Sequence, residues 1–387
     1  MSLNFLPTTK KRVAVAMSGG VDSSVAAYLM AKAGHEVVGL TAWTLNGPGK
    51  CCNDALVNAG RVCEMLDVPY DTVDLRAEFS HFVMDYYNNS YQAGLTPNPC
   101  VECNRYVKWE LLVRYAVDVL GVDYVATGHY AILSPAAHGV NVYRSVDEHK
   151  DQTYMMARVF PKDLTKTLFP LGEMTKPQVT ALARELDLPT AYSKESQDIC
   201  FVLNGQHNYM DLTFGKHPGN FVDADTNKVL GQHDGYYRFT LGQRKGIGVA
   251  AGRPVYVTKI DPQTNTVYLG DAHHLESTTF SVLSPNWLVP ELDEPDALPR
   301  DFMVKIRYNS PPVLGHVEWL DYAARTLKVT LYTAQSAITP GQIAAFYDTE
   351  FQQLFGGGYI ERYLSHQPFD ESKRDDLPDL YCQVASA

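Results

Sequence analysis

The stretch TPNPCVECNRY, residues 96–106, sets Cys100 and Cys103 three positions apart behind two prolines that, with Gly94, mark a loop rather than a helix interior. Two thiols at that spacing can be half of a zinc site, a redox pair or reagents in a group transfer. A third candidate, Cys200, stands in KESQDICFVLNG. The chain has no second Cys-x-x-Cys, and GHY around His129 offers no paired histidine at ligand spacing, so a zinc site built from two such pairs is not available. A thiolate has another use beside an activated carbonyl. As a persulfide it can attack a carbon whose oxygen has been made a leaving group, while a second thiol resolves the sulfur from its carrier. That chemistry needs two thiols that meet in space and a means of activating oxygen.

The means of activation is offered by AMSGGVDSSVAAYLM, residues 16–30. A strand ending near Met17 runs into Ser18, Gly19 and Gly20, and a helix begins at about Val21. Glycines let backbone amides approach an anion, and a helix N-terminus adds unpaired N–H groups and the positive end of its dipole. The hydroxyls of Ser18 and Ser23 supplement this phosphate cradle, and Asp22 is placed to be a ligand of Mg2+ bridging the phosphates. The segment matches neither the P-loop pattern nor GxGxxG. Its order Ser-Gly-Gly-x-Asp-Ser resembles the pyrophosphate loop of the N-type ATP pyrophosphatases, which cleave ATP to AMP and pyrophosphate while adenylating an oxygen.

The elements that must position these groups alternate over the first two hundred or so residues. RVAVAM, EVVGLTAW, YDTVDL and DYVATGH read as strands, and Val21, Val25 and Leu29 share one helical face, as do Leu56, Ala59, Cys63 and Leu66. KPQVTALARELDL reads as a later helix with Pro177 near its start, where a missing amide hydrogen matters little. This predicts an α/β parallel-sheet domain over 1–205. Beyond it glycine and proline become frequent, and short strands such as PVYVTKI, NTVYLG, DFMVKIRY and LKVTLYT predict two small all-β domains, 206–277 and 278–364. Residues 365–387 read as a flexible acidic tail.

With 387 residues the chain exceeds one ordinary hydrophobic core. The start reads as a first strand rather than a signal peptide, no apolar run reaches bilayer length, and no membrane partner is expected. Seven cysteines, an odd and small number for this length, fit a reducing cytoplasm. The formal charge of -11 argues against nucleic acid on average, although RFTLGQRKGIG and VKIRYNS can carry a local basic footprint. Cys63 reads as core packing. Cys51 and Cys52 sit on a Gly/Pro loop that can reach the site, and Cys382 belongs to the tail.

In one order from the first strand to about residue 362, the segments AMSGGVDSS, TPNPCVECN, ATGHYA, KDQTYMMARV, LFPLGEMTKPQV, KESQDICFV, LGQRKGIGV, TPGQIAAFY and GGGYI resemble the tRNA-specific 2-thiouridylases, the bacterial MnmA family and its mitochondrial relatives. The resemblance implies an α/β Rossmann-like domain of the adenine nucleotide alpha hydrolase type, with ATP phosphates on Val15, Ala16, Met17, Ser18, Gly19, Gly20, Val21, Asp22 and Ser23, and Gly128 against the nucleotide. It implies that Cys200 carries a persulfide, that Cys103 is its partner thiol, and that a Cys103 to Cys200 disulfide is the by-product. Asn98, Pro99 and Cys100 would face the flipped wobble uridine. Lys150, Asp151, Gln152, Arg307 and Tyr308 would touch tRNA, with His129 and Gln342 near the site. Read without the resemblance, Asp151 is equally a turn cap and Lys150 a solvated lysine.

The implied partners are the anticodon arms of Lys, Glu and Gln tRNAs and an upstream sulfur donor such as a cysteine desulfurase or relay protein. Extracting the uridine from its loop implies a segment around residues 193–206 that orders when tRNA arrives. Many family members carry Asp where this chain has Cys100. Cys100, Cys103 and Cys200 then give three thiolates, candidate ligands of a [4Fe-4S] cluster with one iron left for sulfide. Two other readings of the residues stay open: an ATP-dependent amidase-type ligase with incidental cysteines, and a non-enzymatic RNA-binding module.

Overall fold

The computed structural model describes residues 4–46, 53–193, 199–202, 205–250 and 252–361. The expectations for Cys51, Cys52, Cys382, the acidic tail and much of the 193–206 segment lie outside the described residues. Five parallel strands form the first sheet, in the order Tyr70–Asp74, Glu36–Trp43, Arg12–Ala16, Tyr124–Thr127, Thr167–Leu168. Val13, Ala14 and Val15 are wholly buried without alternation, as a central parallel strand covered on both faces requires. The chain winds from Arg12–Ala16 outward through two strands, then returns to pair Tyr124–Thr127 on the other side. Strand order reverses there, and a crevice opens beyond the carboxyl ends of these two strands. Met17–Gly20 and Gly128–His129 follow directly from them.

Helix Val21–Lys32 is covered on two sides. Val21 and Val25 pack with Val179 and Ala183 of helix Lys176–Glu185, while Ala26, Ala27 and Met30 pack on the sheet. The single face expected from Val21, Val25 and Leu29 is therefore half of the buried surface, because a second helix lies over the first. Helix Lys176–Glu185 starts with a capping box between Thr175 and Gln178, with Pro177 in its first turn. Cys63 is core, as its apolar stripe predicts, and burial pushes its thiol up to about 11.

Residues 76–92 and 99–118 form two helical stretches beside the sheet. Phe82 stacks on Tyr106 with ring centroids 4.7 Å apart. Pro99 opens the second stretch at its first helical position, so Cys100 stands in a helical first turn rather than in the loop that the flanking prolines suggest. From Cys103 to Leu111 the helix widens to π geometry, a local loosening common at functional sites.

The middle sheet has the order Tyr256–Asp261, Thr266–Gly270, Gly219–Asp223, Val229–His233. Its core is Phe221, Phe239, Val257, Val267 and Leu269. In the last sheet Glu276–Trp287 pairs with both Thr326–Ser336 and Gln353–Ile360, which closes a barrel through Val313–Asp321, Arg300–Lys305 and Ile343–Tyr347. The hairpin Ala131–Ala136 and Gly139–Arg144, immediately after the crevice, leaves the parallel sheet and pairs with Gln353–Ile360. The barrel is thus stitched to the segment that follows His129. Among the described residues no helix is long and apolar enough to cross a membrane.

Candidate active site

The loop after Arg12–Ala16 is built by close approach. Gly19 has φ +69, and a Cβ there would lie 2.6 Å from Ala55 Cα, so only glycine fits. Ser23 Oγ accepts the Ser18 N–H at 3.1 Å and donates to Gly20 O at 3.1 Å, which fixes the turn. No side chain caps the helix at Gly20, so its first N–H groups face the crevice as an anion site would have them. Gly128 abuts this loop: a Cβ on it would stand 2.7 Å from Asp22 C and from Ser23 N. Val15 and Met17 are buried beneath the loop, and Ser18 is exposed at its tip.

Asp22 is occupied. The Lys176 ammonium donates to Asp22 Oδ1 at 2.7 Å and Oδ2 at 2.9 Å, and the Tyr130 hydroxyl donates to Oδ1 at 2.9 Å. Three of the roughly four lone-pair sites of this carboxylate are thus engaged, so a Mg2+ ion would compete with the ammonium for it. Neither Lys176 nor Tyr130 was singled out by sequence. Tyr130 N–H in turn donates to Gln152 Oε1 at 3.0 Å, and Gln152 N–H to Tyr130 O at 3.0 Å. Gln152 therefore braces the residue that braces Asp22.

The cysteine segment is held from the barrel. Thr96 N–H donates to Pro340 O at 2.9 Å, and Gln342 Nε2 donates to Thr96 O at 2.8 Å. Pro97 and Pro99 are buried, Asn98 is half-buried and Cys100 is exposed. Cys103, one helical turn on, is half-buried, and so is Cys200. Both pack against the same hydrophobic core. Phe201 carries the Cys200 strand of chain onto that core, edge-on to Phe79 at 5.9 Å and to Tyr87 at 5.1 Å, on the helical stretch that also stacks on Tyr106. Cys100, Cys103 and Cys200 do not form a group whose ligand atoms lie within 4.8 Å of one another, as a single metal ion would require. A cluster spreads its ligands more widely.

Glu102, between these cysteines, is buried and faces Arg158, with Oε1 3.6 Å from Nε. Arg158 lies over the Tyr359 ring at 3.9 Å and donates from Nη1 to Ser284 O at 2.8 Å, again tying the cysteine helix to the barrel. Farther along the same helix Trp109 packs on His129, 5.1 Å between centroids. His129 accepts or donates at Nδ1 with Thr127 Oγ1 at 2.8 Å, and burial, with Lys108 nearby, holds its pKa well below the usual imidazole value. Cys103 and Trp109 stand on one helical stretch, so the thiol and the residue that packs on His129 share a single support.

Of the residues expected to meet RNA, several gather between sheet and barrel. Tyr308 donates its hydroxyl to Asp151 O at 3.2 Å and lies 6.0 Å from the Tyr154 ring, whose hydroxyl donates to Ile343 O at 2.9 Å. Arg307 is half-buried and donates from Nη2 to Ser336 O and Ala337 O at 2.7 and 3.0 Å. The Asp151 side chain turns inward. It accepts from Ser145 N–H at 3.2 Å and Thr153 Oγ1 at 2.8 Å and pairs with Arg144 at 3.6 Å. Burial pushes its carboxyl up, against the downward pull of Thr153 and Arg144. It is the turn cap that its residue type also allows. Lys150 sits on the same turn, held by its backbone to Asp147.

Comparison with known proteins bears on the whole chain. Residues 11–204 match the family model described as tRNA methyl transferase HUP domain, residues 207–271 the tRNA methyl transferase PRC-barrel domain, and residues 277–360 the Aminomethyltransferase beta-barrel domain. The tRNA-specific 2-thiouridylase MnmA of a Synechococcus strain is 42% identical over 91% of this chain and 98% of that protein. That of a Synechocystis strain is 41% identical over 90% and 97%, and that of Acaryochloris marina 42% over 91% and 99%. With the three domain models in order and relatives aligned along nearly their full length, the chain belongs to the MnmA family of tRNA-specific 2-thiouridylases.

Proposed function

We propose that this protein uses ATP to replace O2 of the tRNA wobble uridine by sulfur. The observation that carries the reading is that Cys103 and Cys200 both border the hydrophobic core lying against the sheet whose central strand leads into the anion cradle. The family models speak of methyl transfer, but a methyl group needs no thiol pair, whereas sulfur transfer does.

The uridine O2 attacks the α-phosphorus of ATP, and pyrophosphate leaves as its charge is met by Ser18, Gly19, Gly20 and the N–H groups of Val21 to Ser23. The outer sulfur of a Cys200 persulfide then attacks C2. The Cys103 thiolate attacks the inner sulfur, AMP departs with the former O2, and 2-thiouridine remains with a Cys103–Cys200 disulfide. A thiol reductant supplies the two electrons that reset the pair. Asn98 and Pro99, which follow the Thr96 held by Gln342 and Pro340, hold the flipped base, while Lys150, Gln152, Arg307 and Tyr308 meet the anticodon arms of Lys, Glu and Gln tRNAs. The sulfur comes from a desulfurase or relay protein. Mg2+ would supply charge neutralisation at the phosphates, with Asp22 its candidate ligand once Lys176 has moved.

A second reading of the sulfur step rests on Cys100, which is exposed one turn from Cys103 and adds a third thiolate to that face. Cys100, Cys103 and Cys200 would hold a [4Fe-4S] cluster, which when bound supplies an iron without a protein ligand on which sulfide is kept. The test uses purified protein, unmodified tRNA, ATP and either a persulfide donor or anaerobic reconstitution with iron and sulfide. AMP, pyrophosphate and 2-thiouridine should appear in equal amounts, and Cys200→Ser should abolish the thionucleoside. AMP formation without thiolation under both conditions refutes the proposal. Full activity of the iron-free protein dismisses the cluster.

A further inference from the structure

We infer that the middle domain carries a binding site for one divalent transition-metal cation of the zinc class, held by His273, His274 and Asp225. The site stands on residues outside the crevice and the cysteine segment and does not depend on how either is read.

The first observation is the convergence of the three side chains. His273 and His274 are consecutive in the 3-10 turn Ala272–Leu275, where successive side chains leave the axis about 120° apart. Their rings nevertheless come together, with centroids 4.0 Å apart and planes at 36°. Asp225 reaches them from another loop, its Oδ1 lying 2.9 Å from His274 Nε2. One ligand atom from each of the three lies within 4.8 Å of the others, the one such group of His, Cys, Asp or Glu among the described residues. Ligands about 2.0–2.2 Å from a tetrahedral zinc stand about 3.3–3.6 Å from each other. The pair at 2.9 Å therefore has to open by only about half an ångström, within the reach of exposed side chains.

The second observation is that the sheet sets the two loops side by side. Gly219–Asp223 pairs parallel with Thr266–Gly270, Asp223 stands opposite Leu269, and Ala224 N–H donates to Leu269 O at 2.8 Å. Both loops thus leave the same end of adjacent strands. Asp223 Oδ1 accepts the N–H groups of Asp225 and Thr226 at 3.2 and 2.9 Å, which shapes the turn that presents Asp225. On the other loop His274 N–H donates to Asp271 O at 3.2 Å, and buried Leu275 accepts from Ala337 N–H at 2.9 Å. A Cβ on Gly270 would stand 3.0 Å from His274 Nδ1 and 3.1 Å from Ala224 Cβ, so the glycine lets the loops meet.

Charge and ligand type choose the cation. Arg253 donates to Asp223 Oδ2 at 3.0 Å and to Asp271 Oδ1, and it lies 3.7 Å from Asp225 Oδ2. It faces one oxygen of Asp225 and leaves Oδ1 to the histidines, orienting the carboxylate as an outer-shell partner does. The carboxylates of Asp223, Asp225 and Asp271 outnumber this single guanidinium by two charges, which a divalent cation balances. Imidazole ligands disfavour Mg2+ and Ca2+, which take oxygen, and suit Zn2+, Co2+, Ni2+ and Cu2+. Three protein ligands leave a fourth tetrahedral position to solvent.

Calorimetric titration of the full-length chain with Zn2+, its accessible thiols alkylated so that cysteine does not compete, tests the inference on wild type, His273→Ala/His274→Ala and Asp225→Asn. Wild type should bind one more equivalent of Zn2+ than the double variant, and Asp225→Asn should weaken that equivalent by about 10-fold or more. All three residues are exposed, so the unfolding midpoint in the presence of chelator should be the same in every variant. Should the double variant melt early, Co2+ decides on wild type alone: it should give the visible absorption of a four-coordinate nitrogen and oxygen site, abolished by one equivalent of Zn2+. Equal zinc stoichiometry in wild type and double variant, wild-type affinity in Asp225→Asn, or a cobalt spectrum no different from that of the hydrated ion each overturns the inference.

Discussion

An alanine at position 128 would place its Cβ 2.7 Å from the backbone of both Asp22 and Ser23. Ordinary contact begins near 3.4 Å, so the two walls of the crevice must part by about 0.7 Å. Neither wall yields cheaply: one is the end of Tyr124–Thr127, paired to the central strand, and the other is the first turn of a helix buried on two sides. Overpacking of this kind costs about 1–3 kcal/mol of stability. Because the displaced atoms are those that bind phosphate, a shift approaching 1 Å should weaken ATP binding or turnover by about 10- to 100-fold. Gly20→Ala is the control for the fold alone, because Gly20 itself belongs to the phosphate cradle. Its Cβ would meet only Ser18 Oγ at 3.6 Å, and the residue already has φ -105, so the fold should be unchanged. Calorimetric ATP titration and thermal unfolding of both variants provide the assay. If Gly128→Ala binds ATP like wild type, the crevice is not the nucleotide site or its walls are not held as described.

Other perturbations follow from the same geometry. Arg158→Met strands the buried Glu102 carboxylate and should destabilise by about 3–5 kcal/mol, while Glu102→Leu/Arg158→Met should recover most of it, because the pair at 3.6 Å lacks a hydrogen bond; denaturant unfolding of the two variants checks this, and equal losses would contradict it. His129, whose pKa lies well below 6.5 when folded, leaves the unfolded chain binding the extra proton, so stability should fall as pH drops below about 6.5; His129→Gln should flatten that part of the profile, and an unaltered slope would dismiss the assignment. Arg307→Ala and Lys150→Ala should each lower the slope of log affinity for tRNA against log salt by about 0.7–0.9, and weaker binding at an unchanged slope would place those side chains away from phosphate.

Four of the five parallel strands were legible as short runs bounded by turn residues, and the predicted run EVVGLTAW coincides with Glu36–Trp43, whereas Thr167–Leu168, two residues long, leaves no such run. The phosphate cradle was legible because Gly19 and Gly20 leave few backbone alternatives. Periodicity also identified helix Lys176–Glu185 but not its contact with Asp22, which is 154 residues away in sequence and is set by the docking of two helices. Asp151 shows the converse. Its motif suggested RNA contact, yet its carboxylate is spent on Ser145, Thr153 and Arg144. The placing of Cys100 failed for a local reason, since prolines that break a helix interior also open one at its first position. The hairpin after Tyr130 gave no sign that its partner strand is Gln353–Ile360, because edge pairing between distant segments leaves no periodic trace.

The central claim, ATP-dependent sulfur transfer to tRNA through Cys200, is tested most directly by nucleoside analysis of tRNA from cells lacking this protein and complemented with wild type or Cys200→Ser. Mass spectrometry should show wobble 2-thiouridine lost in the deletion, restored by wild type and not restored by Cys200→Ser. Unchanged 2-thiouridine in the deletion strain, with no second enzyme of this activity present, or full restoration by Cys200→Ser, would contradict the account.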